Sequence, residues 1–255
     1  MTGSRFALVT GASKGVGRGI AIDLAKAGWS VGINFFRDKA GAEETADRIR
    51  GAGGSCSIHQ ADVGESGQVR AMFKEFAESA GKLDLLVNNS GVQTWAPLLS
   101  LSEQDWDRTI RTNLKGTFLC TQQAALAMRE AGGGCIVNIG SGANKAPFPN
   151  LIDYCASKGG IEQLTAVAAV ELGPLGIRVN CVAPGAIEIE RTKLEDADYA
   201  ATWSGVTPLR RVGNVEDVAR AVTYLASPQA EFITGQTLYV DGGLWSQGPW
   251  PYQEK

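Results

Sequence analysis

Seven short apolar segments recur along this chain, and most of them are separated by stretches long enough for a helix. The apolar segments have the length of strands, whereas the stretches between them carry the spacing of amphipathic helices. Strands joined in this way lie parallel, and a parallel sheet needs helices on both faces. The pattern therefore predicts a doubly wound parallel α/β sheet. The predicted strands are residues 6–10, 31–36, 56–59, 83–88, 135–139, 177–182 and 237–240.

A glycine-rich turn follows the first predicted strand and opens the next helix. It comprises Gly11, Ser13, Lys14, Gly15, Val16 and Gly17. Glycines at these points allow the backbone to approach a pyrophosphate, and the N–H groups and dipole of a helix start favour its charge. The alternative is that the glycines serve only close packing between strand and helix. The turn predicts a dinucleotide site, although its spacing differs from the usual Gly-x-Gly-x-x-Gly pattern.

The end of the second predicted strand indicates which dinucleotide is bound. An acidic residue there would bind a ribose hydroxyl, but the segment reads Asn34-Phe-Phe-Arg37. Arg37, together with Lys14 of the glycine turn, supplies cations that can pair with a 2′-phosphate. The alternative is that both are solvated surface cations. We expect NADP(H) as the preferred cofactor, with NAD(H) as the other possibility.

Tyr154 and Lys158 are four residues apart in a segment with helical periodicity, so their side chains leave one face of a helix. A tyrosine alone is a poor proton donor or acceptor at neutral pH, but an adjacent ammonium stabilises the phenolate. The pair therefore predicts a general acid or base. Ser141 follows the fifth predicted strand, where its hydroxyl can hold a substrate oxygen against the phenol.

Other polar residues also follow predicted strands. Asp62 and Val63 come after the third strand, and Asn89 and Gly91 after the fourth, at the edge where ligands bind such sheets. Residues of these types are also common in ordinary turns. Asn113 lies in the middle of a predicted helix over 102–129. Asparagine lowers helix propensity there, and its neighbours are largely apolar, so we expect the side chain to have a functional role.

Two later segments depart from the alternating pattern. Hydrophobic periodicity fails over residues 185–207, which carry many charges, and such an excursion after a strand is a candidate lid. The C-terminal tail, 244–255, is too aromatic for a disordered end and is expected to dock. No repeats or linkers occur, so we expect residues 1–255 to form a single domain.

Composition excludes several classes of function. A net charge of −3 and the lack of basic clusters argue against a nucleic-acid partner. No apolar stretch approaches the length of a membrane span, and the first residues enter a strand at once, so we expect a cytoplasmic protein with no membrane partner. Five dispersed cysteines without a Cys-x-x-Cys pair predict reduced structural thiols, and the single histidine, His59, predicts no metal site.

Taken together, these motifs resemble the short-chain dehydrogenase/reductase family over essentially the whole chain. The matching residues are Thr10-Gly-x-x-x-Gly-x-Gly17, Asp62, Asn88-Asn-x-Gly91, Asn113, Ser141, Tyr154-x-x-x-Lys158 and Pro184-Gly185. The resemblance implies a Rossmann-type fold, a nicotinamide cofactor, a small-molecule carbonyl or alcohol substrate, and association into a homotetramer. The helix after Tyr154 is rich in small and apolar residues, which agrees with an interface there. The alternative is a helix buried within its own domain.

The resemblance also implies roles for individual residues. Tyr154 would be the general acid/base and Ser141 would orient the substrate oxygen. Lys158 would stabilise the phenolate and bind the nicotinamide ribose. Asn113 would hold a water that relays protons to Lys158. Asp62 and Val63 would lie at the adenine and Asn89 at a ribose, with Gly91, Pro184, Gly185 and Ile187 completing the cofactor site.

The chain departs from the family pattern at two positions. Ser90 replaces the usual alanine of the Asn-Asn-Ala-Gly turn, a small change. Ile189 stands where members often place a threonine that bonds the carboxamide of the cofactor. Either Thr192 takes over that contact from a shifted loop, or backbone groups of Ile187 carry it.

The substrate is the least determined feature, because the shared motifs fit both aldose 1-dehydrogenases and 3-oxoacyl-thioester reductases. Two features favour a sugar: charged lid side chains able to bond several hydroxyls, and tryptophans whose faces can pack on sugar rings. The candidate substrate residues are Ser141, Trp95, Glu188, Arg191, Trp203 and Trp245. The tryptophans fit subunit interfaces equally well. A reading from another class, a non-catalytic dinucleotide-binding module, is disfavoured because such a module has no need of the proton-transfer residues.

Overall fold

The computed structural model describes residues 5–247 of the chain. Seven parallel strands form one sheet in the order β3-β2-β1-β4-β5-β6-β7. The strands are β1 (Arg5–Val9), β2 (Trp29–Phe35), β3 (Cys56–Gln60), β4 (Leu85–Asn88), β5 (Gly134–Ile139), β6 (Ile177–Pro184) and β7 (Thr237–Val240). Every predicted strand is present, and the strand order reverses between β1 and β4, which is where sheets of this kind bind ligands.

Helices cover both faces of the sheet. They are α1 (Gly15–Lys26), α2 (Lys39–Gly51), α3 (Ser66–Ala80), α4 (Glu103–Ile110), α5 (Gly116–Ala131), α6 (Ile152–Leu172), α7 (Glu190–Glu195), α8 (Tyr199–Val206) and α9 (Val215–Leu225). Some of these helices begin at a start signal in the sequence. The side chains of Ser102 and Asn214 cap α4 and α9 by accepting backbone N–H groups.

Alternate residues of the strands point to opposite faces of the sheet and belong to two separate hydrophobic cores. On β1, Ala7 and Val9 belong to the core beneath α1, α2 and α9, whereas Leu8 belongs to the core beneath α3, α5 and α6. Both faces of a central strand are therefore buried, which is why these strands read as continuous apolar runs. The result is a three-layer Rossmann-type α/β fold.

Two elements differ from the sequence prediction. Residues 185–207, predicted as irregular, contain the short helices α7 and α8. Helices this short expose most of their side chains, so they lack the apolar stripe that marks a longer amphipathic helix. The predicted helix over 102–129 is continuous but changes pitch, because Arg111–Lys115 forms a π-helical turn between α4 and α5.

Candidate active site

Tyr154 and Lys158 lie on the first turns of α6, on one side of the helix. The Lys158 ammonium is buried and donates a hydrogen bond of 2.6 Å to the carbonyl of Ile139, the last residue of β5. Its nitrogen lies 5.5 Å from the centre of the Tyr154 ring. The helix and the strand end are thus joined through a buried cation that lies beside the phenol.

Ser141 begins the turn that follows β5, two residues beyond Ile139. Its hydroxyl accepts a hydrogen bond from the Ala143 N–H at 3.2 Å and starts a short 3₁₀ turn over Gly142–Asn144. The residue is half-buried. A hydroxyl that accepts from the backbone keeps its own proton available to donate to a ligand oxygen.

Asn113 occupies the centre of the π-helical turn and is fully buried. Its amide oxygen accepts from the Val92 N–H at 2.8 Å, and its amide nitrogen donates to the Val92 carbonyl and to the Ser157 hydroxyl. These three bonds occupy both amide protons and the oxygen, so the side chain has no donor left for a water. A water bound at Asn113 must therefore donate to it, either to the amide oxygen, which has a second lone pair, or to the backbone carbonyl, which already accepts from the Thr117 hydroxyl at 2.7 Å.

The glycine turn is a cradle in which added side chains would collide. Gly11 and Gly15 have φ of +62° and +55°, which favours glycine. A Cβ on Gly17 would overlap the Gly11 carbonyl and the Asn89 amide. Asn89 braces the turn by donating to the carbonyls of Thr10 and Gly11 at 2.9 and 3.0 Å. The turn leads directly into α1, whose start favours an anion, so these residues fit a dinucleotide pyrophosphate.

Two cations flank this cradle. Lys14, the N-cap of α1, and Arg37, after β2, are exposed, and no carboxylate lies within ion-pairing distance of either among residues 5–247. The Arg37 guanidinium lies over the Phe36 ring, 4.8 Å from its centre. Asp38, the nearest carboxylate in the sequence, accepts the Gly41 N–H at the start of α2.

The buried residue Arg18 holds the glycine turn from below. Its guanidinium donates to the Ser13 carbonyl at 2.6 Å and to the Thr45 hydroxyl at 3.1 Å. It also forms ion pairs with Glu44 at 2.9 Å and with Glu190 of α7 at 3.7 Å. One side chain therefore connects the glycine turn, α2 and the lid. Sequence reasoning missed it, because a single arginine within a helix carries no local signal.

Asp62 and Val63 lie between β3 and α3, next to the π-helical turn. The Asp62 carboxylate accepts the Gly64 N–H and pairs with Arg111 at 2.9 Å. A Cβ on Gly116 would lie 2.7 Å from the Val63 side chain, so Val63 packs directly on the start of α5. Arg111 is a second residue that the sequence did not single out.

The lid begins at Pro184 and Gly185, where a Cβ on Gly185 would lie 2.7 Å from the Asp241 backbone. The Thr192 hydroxyl is buried, accepts the Ile189 N–H at 2.9 Å and donates its own proton to the Ile189 carbonyl at 3.0 Å. Because that hydroxyl is occupied by lid backbone, the structure disfavours Thr192 as a substitute for the missing threonine. Ile187 is buried and forms a bridge to Gly213, whereas the Ile189 side chain would lie 3.6 Å from a Cβ added on Gly15 of the glycine turn.

The lid charges predicted to face a substrate pair with other charges. Glu188 pairs with Lys193 at 2.9 Å, and Arg191 pairs with Glu195 one helical turn away at 3.1 Å. Both ion pairs are partly exposed and leave other donors and acceptors of these side chains unused, so their availability for several hydroxyls stays a prediction. Short helices place opposite charges in register, and such a pairing is not visible when the segment is read as a loop.

Two of the predicted tryptophans converge. Trp203 of α8 and Trp245 have ring centres 6.4 Å apart, and Phe148 packs edge-on against Trp245 at 5.2 Å. Tyr199, the first residue of α8, lies 6.2 Å from Trp203. We call these four residues the aromatic cluster. The Trp245 indole nitrogen is buried, has no hydrogen-bond partner among residues 5–247, and lies so close to Gly142 that no Cβ fits there.

Tyr199 is a half-buried aromatic residue of α8 that the sequence did not single out. Burial raises the pKa of its phenol to about 12, and the groups that act on it electrostatically include Arg191 and Tyr154. Trp203 of α8 packs near Trp245, which lies against Gly142 in the turn that begins at Ser141.

Trp95 lies apart from the cluster and is 61% exposed. The Gln93 amide oxygen, oriented toward the nearby donors, accepts hydrogen bonds from the Trp95 indole N–H and from the Arg191 guanidinium, each at 2.8 Å. Trp95 thus connects to the lid through Gln93. The tail beyond residue 247, which is expected to dock and contains Trp250, lies outside the described residues.

The cysteines and His59 lie outside this site. All five thiols are unpaired, and burial raises the pKa of Cys120 to about 12 and of Cys135 and Cys181 to about 11. His59 is buried and contacts Ser57 and Glu75. Within residues 5–247, no three His, Cys, Asp or Glu side chains group as metal ligands, and no helix has the length and apolarity needed to cross a membrane.

Comparison with known proteins identifies the family. Residues 11–245 match a family model described as "Enoyl-(Acyl carrier protein) reductase". The chain is 40% identical over 242 residues to a 3-oxoacyl-[acyl-carrier-protein] reductase of Staphylococcus aureus, covering 95% of this chain and 98% of the relative. It is 39% identical over 240 residues to a 3beta-hydroxysteroid dehydrogenase of Eggerthella lenta, covering 93% and 92%.

Solved structures agree. A gluconate 5-dehydrogenase of Burkholderia cenocepacia, in complex with NADP and tartrate, is 38% identical with a TM-score of 0.90 over 96% of both chains. An acetoin dehydrogenase of Enterobacter cloacae is 32% identical with a TM-score of 0.89 over the whole of both chains. These relatives are dehydrogenases or reductases of alcohol and carbonyl groups, and the chain belongs to the short-chain dehydrogenase/reductase family of nicotinamide-dependent oxidoreductases.

Proposed function

We propose that Tyr154 is the general acid/base of this oxidoreductase, assisted by Lys158, Ser141 and Asn113. A bound nicotinamide cofactor supplies or accepts the hydride. The Tyr154 phenol gives a proton to the substrate oxygen during reduction or takes it during oxidation, while the Ser141 hydroxyl orients that oxygen. The observation that carries the proposal is the buried Lys158 ammonium, 5.5 Å from the centre of the Tyr154 ring. A cation at that distance stabilises the phenolate.

We propose NADP(H) as the preferred cofactor. Lys14 and Arg37 flank the glycine cradle, and neither has a carboxylate partner in the described part of the chain. Unpaired cations favour a 2′-phosphate, whereas a carboxylate at the end of β2 would favour the ribose hydroxyl of NAD. The gluconate 5-dehydrogenase relative was solved with NADP, which supports the same choice.

We propose a polyhydroxylated substrate, with an aldose as the first candidate. Support comes from the aromatic cluster, since Trp245 lies against Gly142, the neighbour of Ser141, and aromatic faces pack well on the apolar faces of sugars. The Trp245 indole N–H, which has no partner in the described part of the chain, is a donor that a hydroxyl oxygen could satisfy. The gluconate 5-dehydrogenase relative acts on a related class of compound.

A 3-oxoacyl thioester is the second candidate. The match to a 3-oxoacyl-[acyl-carrier-protein] reductase covers 95% of this chain, and that observation favours it. Against it stands the absence of basic clusters in the sequence, since an acidic carrier would need a cationic surface. The aromatic cluster accommodates an apolar chain as readily as a sugar face.

One panel of assays separates these proposals. Aldoses are tested for oxidation with NADP and NAD, beside reduction of an acetoacetyl thioester with NADPH and NADH. We expect oxidation of at least one aldose and a higher kcat/KM with NADP. Reduction of the thioester without oxidation of any aldose would overturn the sugar proposal.

Tyr154→Phe should abolish turnover while NADPH binding, measured by fluorescence, stays near the wild-type level; surviving turnover would remove Tyr154 from its proposed role.

We propose that the protein is a homotetramer and that it acts in the cytoplasm. Val170 of α6 and Phe118 of α5 are 77% and 47% exposed, and large apolar side chains on neighbouring helices favour burial against a second copy. Sedimentation at micromolar protein should give a species about four times heavier than the 26.9 kDa chain. A 26.9 kDa species alone would contradict the assembly.

A further inference from the structure

Two helix faces meet directly behind Tyr154. Thr109 and Asn113 are four residues apart on α4 and the π-helical turn, and they face Asp153 and Ser157, four residues apart on α6. The Thr109 hydroxyl donates to the Asp153 carboxyl group at 2.6 Å, and the Asn113 amide donates to the Ser157 hydroxyl at 3.0 Å. We call these contacts the outer rung and the inner rung, respectively.

All four side chains of the two rungs are completely buried. A buried polar group without a partner costs about 1–3 kcal/mol, so each side chain depends on the one opposite to it. Because neither rung can exchange its partner for solvent, the spacing and the relative rotation of the two helices are determined at this point. The rungs therefore couple α4 to the first turns of α6.

Each rung also holds one end of the Tyr154 peptide unit. The Asp153 carboxyl group accepts the Tyr154 N–H at 2.7 Å through its second oxygen. The Ser157 hydroxyl donates to the Tyr154 carbonyl at 2.7 Å. Both backbone groups of Tyr154 are consequently tied to side chains that are themselves anchored to the neighbouring helix.

We propose that Thr109 and Asp153, the outer rung, are positioning residues that aim the Tyr154 phenol at the substrate oxygen. This inference rests on the proposed role of Tyr154 as general acid/base. Helix capping alone does not account for the outer rung, since a carboxyl group in the first turn of α6 caps the helix without any need for a buried threonine on α4. Both residues lie outside the motif set that identified the family.

The expected effect follows from the distance between the rung and the reacting oxygen. Loss of the outer rung frees the first turn of α6, while the inner rung and the Lys158 contact remain. A displacement of about 1 Å at a reacting group can cost about 100-fold in rate. With one of two anchors left, we expect about a tenfold loss of kcat.

The test compares paired variants with the enzyme at saturating substrate and cofactor. Thr109→Val keeps the shape of the side chain and removes the hydroxyl, whereas Thr109→Ser keeps the hydroxyl. Asp153→Asn keeps an oxygen for the Tyr154 N–H, and the Thr109 hydroxyl can accept from its new amide. The matched control is Thr165→Val, the same change at another fully buried hydroxyl further along α6, which accepts from Asn138.

We measure kcat and KM on the panel compound that the wild type turns over fastest, together with NADPH affinity and Tm. The proposal expects Thr109→Val to lose about tenfold in kcat, with KM and NADPH affinity within about twofold of wild type, and Thr109→Ser and Asp153→Asn to recover most of the rate. Thr165→Val should lower Tm by a similar amount without that loss of kcat.

Two results would overturn the proposal. One is a kcat of Thr109→Val equal to that of the wild type, which would make the rung purely structural. The other is an equal loss of kcat in Thr109→Val and Thr165→Val, which would attribute it to general destabilisation. Because Tyr154→Phe tests the acid/base role separately, the rung can fail while the proposed function stands.

Discussion

Replacement of Gly17 by alanine tests whether the glycine turn is shaped by close approach. A Cβ at this position would overlap both the Gly11 carbonyl and the Asn89 amide nitrogen. The Asn89 amide would have to move, and its two hydrogen bonds to the carbonyls of Thr10 and Gly11 would be lost. The substitution therefore acts on the residue that braces the turn.

The magnitude follows from three contributions. Two lost hydrogen bonds cost about 2 kcal/mol, and overpacking costs about 1–3 kcal/mol. Alanine returns up to about 1 kcal/mol in helix propensity, because Gly17 lies in the first turn of α1. The net loss of about 2–4 kcal/mol corresponds to a decrease in Tm of roughly 4–16 °C for a chain of this length.

The assay is thermal unfolding with and without NADPH, with Gly67→Ala as the control. Gly67 lies in the first turn of α3 and has no atom within 4 Å of an added Cβ, so alanine there should leave Tm unchanged or raise it by a few degrees. Gly17→Ala should also weaken NADPH binding. A Gly17→Ala enzyme with wild-type Tm and wild-type NADPH affinity would refute the reasoning from close approach.

Three further predictions concern separate parts of the chain. Arg37→Ala should lower kcat/KM for NADP by about tenfold and leave that for NAD unchanged; an equal loss for both cofactors would contradict a 2′-phosphate contact. Gly142→Ala should displace the Trp245 indole, seen as a change in tryptophan emission, because no Cβ fits beside it; an unchanged spectrum would argue against that packing. A hydrogen bond from Arg211 lowers the pKa of Asp217 below 3.8. This carboxylate therefore stabilises the fold fully above pH 3.8, and its contribution is lost as the pH falls below that value. The Tm difference between Asp217→Asn and the wild type should accordingly shrink between about pH 7 and pH 3. A constant difference would exclude the linkage.

The sequence predicted those features that depend on local pattern. The central strands β1, β4, β5 and β6 are runs of mostly apolar residues that are buried on both faces, and all seven strands could be located to within two residues at every end. Tyr154, Lys158, Ser141 and the glycine turn follow strand ends or share a helix face, and their grouping follows from the topology of a parallel sheet.

Contacts between distant segments could not be predicted in this way. Arg18 meets Glu190 and Thr109 meets Asp153 only after the chain has folded, and neither pair has a spacing in the sequence that announces it. The ion pairs of the lid charges were not predicted for the opposite reason. Their partners are near in sequence, but the pairing depends on short helices that packing against the rest of the molecule stabilises more than propensity does.

The position of Arg18 has a consequence for the order of events during turnover. Its bonds to the Ser13 carbonyl and the Thr45 hydroxyl are buried, whereas its partner on the lid, Glu190, is 63% exposed and 3.7 Å away. An exposed ion pair of this kind is worth about 0–1 kcal/mol, which changes the ratio of open to closed lids by no more than about fivefold. The Arg18 guanidinium therefore binds the glycine turn firmly, whereas it stabilises the position of α7 only weakly. If residues 185–207 act as the predicted lid, this arrangement lets them open and close while the glycine turn keeps its shape.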